Sequence, residues 1–258
     1  MASWTLITGA SEGLGVEFAR IAAREGRNLI LTARSKDKLE TLAAELRSAS
    51  VDVAVIPADL SDLAEADRLW SEATDGREID VLVNNAGLGG HDAFALGQGW
   101  ERELASINVN MLSLTRLMKL AIPHMQNLPK GRILNVASVA GFTPGPNMAV
   151  YHATKAYVLS LSEAVAEELR GSNVTITALC PGATATQFFD AADMDGVRLL
   201  KLGKPMSAHT VAELGWLEAR VGKRIVVPGL MNKVFAFLPR ISPRGLTTRI
   251  AAQAMGKH

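Results

Sequence analysis

The sequence predicts an α/β protein built on one doubly wound parallel sheet of about seven strands, with helices covering both faces. Three observations lead there. Short aliphatic and β-branched runs alternate with helix-length segments whose apolar residues recur every three or four positions. A glycine-rich turn joins the first strand to the first helix. No linker-like tract or long-period repeat divides the 258 residues, so one domain is expected over 1–258.

The elements follow in order. Trp4 to Thr8 has the character of a buried strand, and Gly9 to Gly15 is the turn. Val16 to Arg24 reads as a helix with Phe18, Ile21 and Ala22 on one face. Leu29 to Leu31 is the second strand, and Lys36 to Leu46 is a helix with Leu39, Leu42, Ala43 and Leu46 inward. Val51 to Ile56 is the third strand, Leu63 to Ala73 a helix, and Ile79 to Val83 the fourth strand. Two helices fill Ala95 to Asn127, ahead of a strand at Arg132 to Val136. A long helix over Val150 to Arg170 precedes the strand Val174 to Leu179, and a last strand is expected at Arg224 to Val227. Phe188 to Met206 is the least regular stretch, because Gly196, Gly203 and Pro205 interrupt any helix.

Composition narrows the function. With 48% hydrophobic and 21% charged residues the chain suits a globular protein with a sizeable core. A net charge of +1 gives no global field for nucleic acid. The lone Cys180 excludes an intramolecular disulfide and fits a reducing compartment. Met1-Ala2-Ser3-Trp4 runs straight into the first strand without a basic or apolar leader, and no apolar run approaches the roughly 18–20 residues of a membrane span. A cytoplasmic protein without a signal peptide, transmembrane segment or metal is expected.

The turn Thr8-Gly9-Ala10-Ser11-Glu12-Gly13-Leu14-Gly15 has the strand-to-helix setting in which glycines let the backbone approach a pyrophosphate, with the spacing G-x-x-x-G-x-G rather than the G-x-G-x-x-G of the commonest dinucleotide fingerprint. Taken alone it is also compatible with a ligand-free turn. Cofactor choice is read where the second strand ends. An acid there suits the ribose hydroxyls of NAD(H), whereas an arginine accommodates a 2′-phosphate. This chain has Ala33, Arg34 and Ser35, with no acid before Asp37, so NADP(H) is favoured over NAD(H).

Together these residues resemble the short-chain dehydrogenase/reductase family in its compact single-domain branch, over about 180 residues from Thr8 to Thr186. Gly9, Ser11, Gly13, Leu14 and Gly15 match the family's glycine turn, and Asp59-Leu60 looks like the pair that frames the adenine. Asn84-Asn85-Ala86-Gly87 is similar to its sheet-stabilising motif beside the cofactor. Ser138 stands thirteen residues before the Tyr151-x-x-x-Lys155 motif. Pro181-Gly182 follows the sixth strand, with Thr184 and Thr186 near the expected nicotinamide carboxamide. Asn110 is the fourth catalytic candidate by spacing from Met125, and Asn108 is the fallback. Glu12 departs from NADP-preferring relatives, which commonly carry a basic residue there, and leaves Arg34 to hold the phosphate largely alone.

The resemblance implies a Rossmann-like fold and an oxidoreductase that moves a hydride to or from a carbonyl or alcohol carbon. Tyr151 would handle the proton, Ser138 would hydrogen-bond the substrate oxygen, and Asn110 would complete a proton relay. Lys155 lies one helical turn beyond Tyr151, so both share a face, and its ammonium is expected to lower the tyrosine pKa. Singly, Ser138 also reads as a cap, Tyr151 as a packing residue and Lys155 as a solvated lysine.

The segment 187–206 is expected to form a substrate lid, with Phe188, Phe189, Met194, Leu199, Leu200, Leu202 and Met206 offering an apolar wall. Residues 229–258 form a C-terminal extension. After Glu218 only basic charges occur, interleaved with Met231, Val234, Phe235, Phe237 and Leu238. Such a segment suits core packing, a subunit interface, or peripheral contact with anionic lipid or an acidic carrier. A small apolar carbonyl or alcohol substrate and a homodimer or homotetramer are expected. A 3-oxoacyl-thioester reductase of lipid metabolism and a non-catalytic NADP(H)-sensing scaffold are the alternative readings. The intact Ser-Tyr-Lys set argues against the scaffold.

Overall fold

A computed structural model describes residues 3–47, 51–96, 99–194, 196–197 and 204–256. The chain alternates as β1 (Trp4–Thr8), α1 (Gly13–Arg24), β2 (Asn28–Thr32), α2 (Lys36–Arg47), β3 (Val53–Val55), α3 (Leu63–Thr74) and β4 (Ile79–Asn84). Then come α4 (Trp100–Ile107), a π turn (Asn108–Ser113), α5 (Leu114–Gln126), β5 (Gly131–Val136), α6 (Ala149–Glu168) and β6 (Val174–Leu179). The remainder comprises β7 (Thr184–Ala185), α7 (Phe188–Ala191), β8 (Met206–Ser207), α8 (Ala208–Arg220), β9 (Ile225–Val226), α9 (Leu230–Phe237) and α10 (Arg244–Met255).

Among the described residues, seven strands pair in the order β3-β2-β1-β4-β5-β6-β9, every pair parallel. Parallel strands need crossovers, and the helices that provide them bury both sheet faces. The strands therefore carry apolar residues on both sides. Leu6, Ile30, Leu82, Ile133 and Ile176 join the core layer that includes residues of α3, α5 and α6. Their neighbours Ile7, Leu29, Leu31, Val83 and Leu134 join the opposite layer, with residues of α1, α2 and α8. This two-sided burial, worth roughly 1.5–3 kcal/mol per large side chain, explains why strict alternation is missing from the sequence.

Strand order reverses between β2-β1 and β4-β5, so the loops after β1 and β4 diverge at the carboxyl edge and open a crevice. Two expectations are revised. The helix expected from Val16 begins at Gly13, within the glycine turn. A one-turn helix, α7, forms where none was expected, and β8 pairs with β7 through Met206.

Candidate active site

The glycine turn is closed too tightly for side chains. Gly9 has φ +66°, and a Cβ there would lie 2.8 Å from Ala86 Cα. A Cβ on Gly15 would lie 2.1 Å from the Gly9 carbonyl oxygen, and one on Gly13 would lie 2.9 Å from Thr186 Cγ2. Thr8 and Asn85 lock the turn to β4. The Thr8 hydroxyl accepts from the backbone N–H groups of Asn85 and Ala86, both at 3.0 Å. Asn85 Nδ2 donates to the carbonyls of Thr8 and Gly9 at 2.9 and 3.0 Å.

At the mouth of this turn, α1 begins without a side-chain cap and without an acid in its first turn, whereas α3 and α8 are capped by Asp62 and Ser207. Uncapped N–H donors, the positive end of the helix dipole and a backbone stripped of Cβ atoms make a fitting cradle for a pyrophosphate. Ser11 and Leu14 lie in the turn and first helical turn, and Leu14 packs on the second core layer.

At the far side of the crevice, Arg34 and Ser35 are exposed beyond β2, where Arg34 has no ion pair among the described residues. Asp59 spends one carboxylate oxygen on Ser61, whose N–H and hydroxyl donate to it at 3.0 and 2.8 Å. Leu60 is buried, and its carbonyl accepts from Ser113 Oγ at 2.7 Å. Glu12 pairs with Lys38 on α2. With its amide nitrogen facing the carboxylate, Gln187 also donates to Glu12, at 3.0 and 2.8 Å. A cation thus balances the acid that departs from the expected pattern.

The chemical residues meet beside Gly87. Asn110 lies in the π turn, fully buried. Its Nδ2 donates to the Leu88 carbonyl and Thr154 Oγ1 at 2.8 and 2.9 Å, and its Oδ1 accepts from the Leu88 N–H at 2.9 Å. A Cβ on Gly87 would lie 3.3 Å from both Asn110 Oδ1 and Lys155 Nζ, so these two groups line the same spot. Asn108 instead donates to the Ser61 carbonyl at 2.8 Å and ties down the loop before α3. Of the two asparagines, Asn110 is the one that lines the spot beside Lys155.

Ser138 follows β5 and caps a short 3₁₀ turn, accepting from the Ala140 N–H at 3.1 Å. Its hydroxyl also interacts with Tyr151. Lys155 is almost wholly buried and donates to the Val136 carbonyl at 2.8 Å, with Nζ 5.8 Å from the Tyr151 ring centre. Burial acts oppositely on the pair. It pushes the Tyr151 phenol up to about 12, against the Ser138 hydrogen bond. It brings the Lys155 ammonium down to about 8. For the phenol, desolvation is the larger influence and the Ser138 hydrogen bond the opposing one.

Pro181-Gly182 follows β6, Thr184 Oγ1 donates to the Gly182 carbonyl at 3.0 Å, and Thr186 sits against the glycine turn. Phe188 stacks over Tyr151 with ring centres 5.3 Å apart. Met148, Ala192, Met194, Val197 and Met255 form a buried cluster against Tyr151, Phe188 and Phe189. Met206 is not part of this wall; its pairing in β8 turns it onto the second core layer. Leu199, Leu200, Leu202 and Gly203 lie outside the described residues, as does Lys257. A cavity of about 60 Å³ lies between the start of α6 and α4, lined by Gly90, Arg102, Ser106, Met148 and Tyr151 among others. Thr8, Gln187, Thr154 and the Val136 carbonyl were absent from the sequence-derived site. A hydroxyl at the end of β1 was the signal available for Thr8; the other three depend on contacts between distant segments.

Residues 3–195 match the family model described as short chain dehydrogenase. The chain is 36% identical over 183 residues to a very-long-chain 3-oxoacyl-CoA reductase of Mycosarcoma maydis, covering 69% of this chain and 52% of that protein. It is 30% identical over 247 residues to the very-long-chain 3-oxoacyl-CoA reductase of Rattus norvegicus, covering 93% of this chain and 77% of that one. In three dimensions it resembles a short-chain dehydrogenase from Sphingobium yanoikuyae in complex with NADPH, with a TM-score of 0.81, 33% identity and 89% of each chain covered.

Proposed function

The chain belongs to the short chain dehydrogenase family, and from that membership we propose that it is an NADP(H)-dependent reductase of apolar ketones, with 3-oxoacyl thioesters as its substrate class. One observation carries the reading: Tyr151 stands beside Ser138 and Lys155 at the carboxyl edge of the sheet, against the apolar cluster that includes Phe188, Phe189 and Met194.

The uncapped start of α1, Asn85-Ala86-Gly87 and Thr184-Thr186 would hold the dinucleotide, with Arg34 available for a 2′-phosphate. When bound, that cofactor supplies or accepts the hydride. The remaining chemistry is the chain's own. Ser138 donates a hydrogen bond to the substrate oxygen as negative charge grows there. Tyr151, protonated at neutral pH, gives its proton to that oxygen, which suits the reductive direction. Lys155, with a pKa of about 8, holds or releases a proton near neutrality and replenishes the phenol. Asn110, held by Leu88 and Thr154, keeps its carboxamide beside Lys155.

The apolar cluster and the very-long-chain 3-oxoacyl-CoA reductases among the relatives support the thioester reading. The test is NADPH oxidation against ketones, aldehydes and 3-oxoacyl thioesters of increasing chain length. The highest kcat/KM is expected with long thioesters. Turnover of simple ketones alone would overturn the substrate class, and NADPH binding without turnover of any of them would mark a cofactor-sensing scaffold.

A further inference from the structure

The helix α9 is turned inside out for a helix packed on a globular core. Ala236 and Asn232, one turn apart, face inward: Ala236 is buried, and Asn232 donates to the Pro228 carbonyl at 2.7 Å and fills the space over Gly182. Leu230, Met231, Val234, Phe235 and Leu238 occupy the opposite arc and are exposed, Leu230 at 77% and Met231 at 63%. On α10, Leu246 and Ile250, also one turn apart, are exposed as well. Among the described residues, nine of the 17 exposed large apolar side chains fall between Leu230 and Ile250. Clustering of that kind marks an interaction surface rather than scattered exposure.

Its charges are of one sign. No acid follows Glu218 in the chain, and Lys233, Arg240, Arg244 and Arg249 make no ion pair among the described residues. On the α9 wheel Lys233 stands at the margin of the apolar arc, where a lysine stem lies along apolar surface while its ammonium reaches outward. We propose that α9 and α10 form a docking surface for an anionic lipid bilayer, with the apolar arc inserted at the headgroup boundary and these four cations on the phosphates. A second copy of the chain fits this surface poorly, since mating two such faces brings only cations together. The bilayer supplies both the apolar phase and the negative charge that the surface lacks.

The same segment touches the catalytic region. Asn232 abuts Gly182, and Met255 at the end of α10 closes the apolar cluster under Tyr151, with its carbonyl 2.7 Å from His91 Nε2. Docking would therefore set the substrate wall close to the lipid, although binding itself is independent of which substrate is reduced.

The test is co-sedimentation of the full chain with vesicles of phosphatidylcholine alone or mixed with phosphatidylserine. Binding is expected only to the mixed vesicles and should weaken with added salt. The quadruple variant Lys233→Gln, Arg240→Gln, Arg244→Gln, Arg249→Gln should bind about 10²–10³-fold less tightly. The pair Phe235→Ser, Leu238→Ser should also lose binding. Both changes lie on exposed side chains, so wild-type circular dichroism and unaltered NADPH affinity are expected. Absence of wild-type sedimentation, or undiminished sedimentation of both variants, overturns the proposal. So does a lipid-free dimer, seen by sedimentation equilibrium, that Phe235→Ser, Leu238→Ser dissociates, because a second copy would then be the occupant.

Discussion

Replacing Lys155 by methionine should make the protein more stable and nearly inactive at once. The side chain is 4% exposed, and its ammonium has one hydrogen-bond acceptor, the Val136 carbonyl at 2.8 Å. A drop in pKa from 10.5 to about 8 corresponds to about 3 kcal/mol against burying the charged form. Because the folded-state pKa is depressed, the unfolded chain binds the extra proton between about pH 8 and 10.5, and wild-type stability rises with pH across that window. Below it the whole penalty is present. Methionine has similar length and no charge, so it removes the penalty while leaving the Val136 carbonyl without a donor, a loss of about 1 kcal/mol. Net stabilisation at pH 7 should be about 2 kcal/mol, or a Tm several degrees higher. Urea unfolding followed by circular dichroism at pH 7 and pH 10 measures it. Methionine's advantage should shrink by about 2–3 kcal/mol between the two. Turnover should fall about 10²–10⁴-fold at either pH. An advantage that does not change with pH would refute the claim that Lys155 is held charged against its burial.

Three further outcomes are expected. Tyr151→Phe should retain NADPH binding by fluorescence titration and lose about 10²–10⁴-fold in turnover, since only the proton donor is removed; near-wild-type turnover would reject Tyr151 as that donor. Arg34→Ala should weaken NADPH by about 10-fold or more and leave NADH nearly unchanged, as expected for one charge-assisted contact to a 2′-phosphate; equal losses in calorimetric titrations would show that Arg34 does not read it. Cys180 is fully buried and its thiol is pushed up to about 12, so a thiol-specific disulfide reagent at pH 8 should label the unfolded chain rapidly and the native one only at the rate of opening.

The fold was legible because its signals are local and repeated. A buried parallel strand shows itself as an apolar run, and a covering helix as a stripe of three- to four-residue period, so element type survives even where ends shift. The shifts have physical causes. α1 starts at Gly13, which enters the helix from the left-handed region at φ +55°, a conformation that glycine adopts readily and that no apolar stripe reports. The π turn at Asn108–Ser113 joins the two helices expected over Ala95 to Asn127, and Asn110 within it lies beside Gly87. Around 188–206 the pattern failed in both directions. Glycine and proline masked the one-turn helix that holds Phe188 over Tyr151, while Met206 shared the wall's composition without its position.

The site was legible as residue types but not as an electrostatic state. Tyr-x-x-x-Lys spacing puts both side chains on one helical face, and from that alone the lysine charge is expected to draw the tyrosine toward phenolate. In the folded chain the same walls dehydrate both groups, raising one pKa and lowering the other, so each is pushed toward its neutral form. In the proposed reaction the pair would serve as a proton donor backed by an amine whose pKa is brought down to about 8. A raised tyrosine pKa widens the pH range over which the phenol holds the proton that the proposed reduction requires. Any change that hydrates Tyr151, such as Phe188→Ala opening the ring face that Phe188 covers, should therefore lower the tyrosine pKa and shift the pH profile of reduction downward. A profile unmoved by that substitution would mean that the Phe188 contact contributes nothing to the dehydration of the phenol.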